Sequence, residues 1–127
     1  MRETKAFKVL SDETKMRMLN LLREEECCVC EVMQALEIAQ SKASRGLIAL
    51  YDAGFLKMRR EGLWSLYSLD KEGIEGYRSQ LVEAVKEALR DNKIAALDKE
   101  RLKKAERVGA RCVCSVRDGV SCKPASL

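Results

Sequence analysis

The sequence predicts a mainly helical domain carrying one β-hairpin, and three observations carry that prediction. Helix-forming residues dominate a chain of 127 residues whose single proline stands at position 124. Two short amphipathic segments, 29–36 and 40–51, follow one another across the break Glu37-Ile38-Ala39. A basic stretch of mixed aromatic and aliphatic residues, 55–69, comes directly after them and turns at Glu61-Gly62. Two short helices joined by a few residues are a helix-turn-helix, and a basic hairpin behind one is a wing. The expected architecture is therefore a winged helix-turn-helix.

Each element has its own signal. Residues 5–10 read as a short helix, and Ser11 and Asp12 cap a second one, with Glu13 in its first turn where an acid suits the helix dipole. Met16, Leu19 and Leu22, flanked by Met18 and Leu21, give that helix a broad apolar face. Val29, Val32, Met33 and Leu36 then recur at i, i+3, i+4, i+7, which is one face of a short helix. Ala43, Leu47 and Leu50 form the inner face of the next helix, and Gly54 follows its end. Gln40, Ser41, Lys42, Ser44 and Arg45 lie at or near the amino-terminal end of that helix. In this motif base and phosphate contacts come from that end. Lys57, Arg59 and Arg60 add charge on the first strand of the wing or its turn. From residue 71 the helical period returns, and Ile74, Tyr77, Leu81, Val85 and Ala88 form a seam suited to pairing with a second copy. That helix, or another starting after Asn92-Lys93, is expected to run to about residue 108, with Gly109 ending it. The division expected is a DNA-binding and dimerisation domain over 1–109 and a flexible arm over 110–127.

The formal charge of +4 is mild, so nucleic-acid binding has to rest on where the basic residues cluster. No run of apolar residues is long enough to span a membrane, and the amino terminus lacks a secretory pattern, so the expected compartment is the cytoplasm. Thiols stay reduced there. Six cysteines fall into two groups: Cys27, Cys28 and Cys30, then Cys112, Cys114 and Cys122. Histidine is absent, which removes the commonest general base and the commonest nitrogen ligand together. A metal site in this chain has to be built from thiolates and oxygens, and thiolates select soft ions.

The stretch over residues 39–70, AQSKASRGLIALYDAGFLKMRREGLWSLYSLD, closely resembles the recognition helix and wing of the ArsR/SmtB family of metal-responsive repressors. Residues 7–22, FKVLSDETKMRMLNLL, resemble the same family's first two helices. The resemblance implies a homodimer that leaves double-stranded operator DNA when an inducer binds. The run ECCVCE over 26–31 resembles the family's cysteine box, which gives Cys28 and Cys30 the role of inducer ligands. Arsenic repressors of the best-known type carry a third cysteine three residues after this pair, where this chain has Met33. Zinc-type members use acids and histidines on the pairing helix, and cadmium- and lead-type members add cysteines from an amino-terminal arm. This chain has neither, so the resemblance points to trivalent arsenic or antimony as inducer, with no permanent cofactor.

The third thiolate stays open at this stage. On a regular helix Cys28 and Cys30 are i, i+2 and diverge, so both can hold one atom only if the first turn is distorted or not yet helical. Cys27 and Cys30 are i, i+3 and would meet on a helix. Cys112, Cys114 and Cys122 could instead lend one sulfur or form a separate site. Against these readings stand a small apolar cysteine core and an arm with incidental thiols. A repressor sensing cadmium, lead or thiol oxidation is the alternative function. A thiol enzyme or metal carrier would account for the cysteines but not for the helix-turn-helix and wing, and no enzyme activity is expected.

Overall fold

A computed structural model describes residues 2–107. The chain runs α1 (Arg2–Leu10), α2 (Glu13–Leu22), β1 (Cys27–Cys28), α3 (Val29–Leu36), α4 (Gln40–Asp52), β2 (Leu56–Glu61), β3 (Trp64–Leu69), α5 (Tyr77–Ala88) and α6 (Lys93–Lys104). The expected class, mainly helical with one wing hairpin, is the architecture found. Cysteines over 110–127 lie outside the described residues.

Local chemistry accounts for the boundaries. Asp12 is extended and its carboxylate accepts from the Lys15 N–H at 3.2 Å, which starts α2 as its sequence anticipates. Glu37 adopts a left-handed conformation (φ 56°) and its N–H donates to the Met33 carbonyl, which ends α3. Ala39 then opens α4 from an extended conformation. The Glu37-Ile38-Ala39 break is thus a three-residue turn, and α3 and α4 form the helix-turn-helix. In the wing, Arg60 faces Ser65 and Glu61 faces Trp64, leaving Gly62 and Leu63 as the turn. Gly62 sits at φ 62°, where a side chain is strained.

The core lies where α2, α3 and α4 meet the wing. Met18, Leu19, Leu22, Val32, Met33, Leu47, Leu50, Phe55 and Leu66 are essentially inaccessible to solvent. Burying each such side chain contributes about 1.5–3 kcal/mol before chain entropy opposes it.

Three elements differ from the sequence reading. A strand of two residues, β1, pairs antiparallel with β3, so the wing is the edge of a three-stranded sheet ordered β1-β3-β2. Ile74 lies in a turn, not on a helix. The Asp70 carboxylate and carbonyl accept from the Gly73 and Ile74 N–H groups, and Gly76 at φ 63° delays α5 to Tyr77. The carboxy-terminal helix is the separate one that the sequence allowed after Asn92-Lys93, α6, capped by Asn92 accepting from the Ala95 N–H at 3.0 Å; what differs is its end, at Lys104 and not near residue 108. Asp98 is 1% exposed and ties α6 to α2 through a bidentate pair with Arg17 at 2.7 and 2.9 Å. Arg101 bridges Asp98 to Glu37, so the end of α3 joins the same network. Among the described residues no helix is long and apolar enough to cross a membrane.

Candidate thiol site and nucleic-acid interface

The cysteine box straddles the junction between sheet and helix. Cys27 pairs with Tyr67 and Cys28 with Leu66 on β3. Successive strand residues point to opposite faces, so the two side chains diverge. Cys27 is fully buried, its thiol within 3.6 Å of the Glu25 carbonyl, and burial together with the nearby Glu31 charge pushes its pKa far up. The helical i, i+3 relation with Cys30 does not arise, because Cys27 belongs to a strand.

Cys28 is extended (φ −90°, ψ 172°) and is the N-cap of α3. Its N–H donates to the Glu31 carboxylate at 2.9 Å while its sulfur faces the Glu31 N–H, the reciprocal pattern of a capping box with sulfur in place of a hydroxyl. Burial raises the Cys28 thiol pKa, and that backbone N–H offsets part of the rise. Cys30 lies one residue inside the helix and is 8% exposed, against 4% for Cys28. The first turn is therefore not yet helical at Cys28, which removes the i, i+2 divergence a regular helix would impose. Among the described residues no group of three or more cysteine and carboxylate side chains could hold a metal ion. Both Cys28 and Cys30 are part of the buried core at the head of α3.

Charged contacts surround the box. Glu26 holds Arg59 of the wing in a bidentate pair at 2.7 and 2.8 Å, and Glu61 holds the same guanidinium at 3.0 Å. Cys28, Leu66 and Arg59 form one cross-strand row over β1, β3 and β2. Arg107 donates to Glu31 at 3.1 Å, on the carboxylate oxygen that Cys28 N–H also uses, and its guanidinium lies 5.4 Å from the centre of the Trp64 ring.

The second surface is basic. Gln40, Lys42 and Arg45 are exposed on α4, and Ser41 and Ser44 half-buried beside them. Lys57 and Arg60 are exposed on β2, and among the described residues neither they nor Lys42 and Arg45 form an ion pair. A groove beside α4 is lined by Asp12, Thr14, Lys15, Lys42 and Arg45, with Lys15 paired to Asp12 at 3.6 Å, and its neighbour by Lys5, Lys8, Lys15 and Asp52. Lys5, Lys8, Thr14 and Lys15 are not among the residues the sequence singled out, because they lie far from α4 along the chain. The signal available was a lysine in the first turn of a capped helix.

Of the expected seam, Val85 is buried in the chain's own core, Ile74, Tyr77 and Leu81 are half-buried, and Ala88 is exposed. Tyr77 stacks on Phe7 of α1 with ring centres 6.1 Å apart.

The model of the bacterial regulatory protein arsR family matches residues 12–58, from the cap of α2 into the wing. The arsenical resistance operon repressor of Bacillus subtilis is 35% identical over 75 residues, which are 58% of this chain and 71% of that protein. The chain belongs to the ArsR family. This ArsR-family chain is also 51% identical over 67 residues to the arsenic resistance transcriptional regulator ArsR1 of Pseudomonas putida, spanning about half of each (52% and 52%). The cadmium resistance transcriptional regulatory protein CadC homolog of Staphylococcus aureus is 41% identical over 80 residues, 62% of this chain and 63% of that one. Among solved structures, HlyU from Vibrio cholerae aligns with a TM-score of 0.60 at 22% identity, over 71% of this chain and 94% of that one. The homodimeric winged helix-turn-helix DNA-binding domain of Mb0332 from Mycobacterium bovis aligns with a TM-score of 0.59 at 24% identity, over 72% and 82%. At those identities the two structures speak for the fold alone. The family is one of bacterial regulatory proteins.

Proposed function

We propose that this ArsR-family chain is a dimeric repressor that leaves its operator when arsenic(III) or antimony(III) binds the thiols of Cys28 and Cys30. The observation that carries the reading is the double position of Cys28, which is at once a strand partner of the wing and the N-cap of the first reading helix. A bond formed there acts on both DNA-facing elements. Gln40, Ser41, Lys42, Ser44 and Arg45 face DNA from α4, Lys57 and Arg60 from the wing, with Lys5, Lys8 and Lys15 on flanking phosphates. Arg59 is already held by two carboxylates, and its part is to fasten the wing to the strand that carries the thiols.

Ligand exchange fits protonated thiols. In the reduced chain, each thiol would replace one hydroxide of arsenous acid: an As–O bond breaks, an As–S bond forms, and the thiol proton leaves with the hydroxide as water. No oxidant is consumed. Drawing Cys28 towards Cys30 pulls on the α3 cap and on the β1–β3 pairing, which disturbs the α3–α4 geometry and the wing. To move a population from 99% bound-competent to 1%, the inducer has to favour the other form by about 5.5 kcal/mol.

The subunits pair through the terminal helices, where Phe7 of α1 and Ile94 and Leu97 of α6 remain exposed and Tyr77 and Leu81 of α5 are half-covered. A cadmium response is the second reading, favoured by the Staphylococcus aureus relative and by the Glu31 oxygen next to Cys28.

The test is to select duplexes from a random pool and titrate the bound protein with arsenite, antimonite, cadmium, lead and zinc. A roughly two-fold symmetric duplex released by arsenite and antimonite is the expected result. Release by cadmium or lead alone would replace the inducer, release by peroxide alone would make it a redox sensor, and failure to select any duplex would remove DNA binding.

A further inference from the structure

The face that α4 turns outward is fixed by its packing. Ala43, Gly46, Leu47 and Leu50 are buried against the core. Gly46 sits so close to α2 that a Cβ there would stand 2.5 Å from the Met18 sulfur, and this close seat fixes the rotation of α4 about its axis. On the opposite side Ser41, Ser44, Arg45 and Ile48 recur at i, i+3, i+4, i+7 and share one face. Ile48 is 51% exposed there, a large aliphatic side chain among polar and cationic ones.

The surroundings of Ile48 indicate what covers it. Lys42 and Arg45 are exposed on the same helix and Lys57 and Arg60 on the wing, and among the described residues none of the four forms an ion pair. Protein interfaces exclude charge from their centre, and two such faces brought together would set like charges against one another. A nucleic-acid duplex suits the cations, since its interfaces are strongly positive on the protein side. In its major groove the apolar group offered by a base edge is the 5-methyl of thymine. Ser41 to Ile48 covers about 10 Å of helix axis, within the groove's width of roughly 12 Å. Asp52, exposed one turn further along this face, carries a charge that phosphate repels, so the reading surface ends at Ile48.

Resting on the DNA-binding reading above, we infer that Ile48 is a specificity-determining residue that packs on the 5-methyl of a thymine in the operator, next to the contacts of Ser44 and Arg45. The serines and Arg45 supply hydrogen bonds to base edges and phosphates. Ile48 supplies the contact that tells thymine from cytosine. A cytosine in the same place offers no methyl, and its amino group would face a hydrocarbon with no acceptor. This selectivity is independent of the cysteines at the head of α3, so it concerns which sequence is bound and not what releases it.

The test takes a duplex selected from a random pool by the full chain, under reducing conditions and without arsenite, and exchanges each thymine in turn for uracil, which lacks only the methyl. At one or more positions the unaltered protein should lose roughly fourfold in affinity, the contribution of one buried methyl-sized group. Ile48→Ala should bind the thymine and uracil duplexes within about twofold of each other at those positions, and Ile48→Val should restore the discrimination. Because the exchange is made on the DNA, the measurement does not depend on how well a variant folds. Uracil losses that are absent at every thymine, or equal in the unaltered and Ile48→Ala proteins, would overturn the inference while leaving DNA binding intact. A shift of DNA-free Ile48→Ala towards monomer in sedimentation would assign Ile48 to a second copy and overturn it as well. Selection of no duplex by the unaltered chain would remove the DNA-binding reading and the inference with it.

Discussion

At the scale of single residues, neighbouring side chains of one type have different work because their surroundings differ. Arg45 is exposed on α4 with no ion pair among the described residues, so its guanidinium is available to a base edge. Arg45→Ala should weaken specific binding by about 1–3 kcal/mol and leave random duplexes less affected. A uniform loss on every sequence, read by fluorescence anisotropy, would reduce Arg45 to a phosphate contact. Lys57 and Arg60 are also unpaired on the wing, whereas Arg59 is neutralised by Glu26 and Glu61. Neutralising Lys57 or Arg60 should lower the slope of log K against log salt by about one unit, and Arg59→Ala should lower it by clearly less. Equal slopes for all three variants would mean that Arg59 leaves its carboxylates for DNA. The sequence offered three basic residues on a wing and no means of ranking them, since the partner of Arg59 lies 33 positions away. Cys27 was equally opaque. A period-based reading places it on a helix with Cys30, but a two-residue strand is too short to leave any alternation in the sequence.

Among the elements, α3 and α4 were legible because their apolar spacing and the Glu37-Ile38-Ala39 break are local signals. The wing was legible for the same reason, from its strand-like composition and Gly62. What is non-local was lost: β1 exists only through its pairing with β3, and α6 takes its place through Asp98, 81 residues from Arg17. That pair makes a sharp stability prediction. Asp98→Ala leaves Arg17 and Arg101 facing each other without the carboxylate that joins them, and breaking a buried pair from one side costs about 3–5 kcal/mol. Urea unfolding should show that loss, and a change within about 0.5 kcal/mol, the usual range for surface substitutions, would mean α6 is not docked through Asp98. The docking matters beyond stability, since α6 carries the chain to Glu106 and Arg107, which contact Gln34 and Glu31 beside the cysteine box.

For the whole molecule, a basic face and a thiol site share one small core. Their proximity is a consequence of the fold, because β1 leads directly into α3 and α3 turns directly into α4. Pairing of two copies would place two such faces on one duplex. The sequence seam anticipated pairing through Ile74, Tyr77, Leu81, Val85 and Ala88, yet Val85 is enclosed within the chain, so the surface left for a partner shifts towards Phe7 and its stacked Tyr77. Phe7→Asp should move the sedimentation of the protein towards monomer at micromolar concentration and weaken operator binding together. Unchanged sedimentation would place the interface elsewhere. In the proposed function the reading motif answers to the cysteines at its own head. The most direct measurement follows fluorescence anisotropy of a labelled operator duplex, saturated with Cys28→Ser, Cys30→Ser protein, as arsenite is added. Binding close to that of the unaltered protein is expected, with no release at arsenite concentrations that empty the unaltered complex. Release at the same arsenite concentration would contradict it.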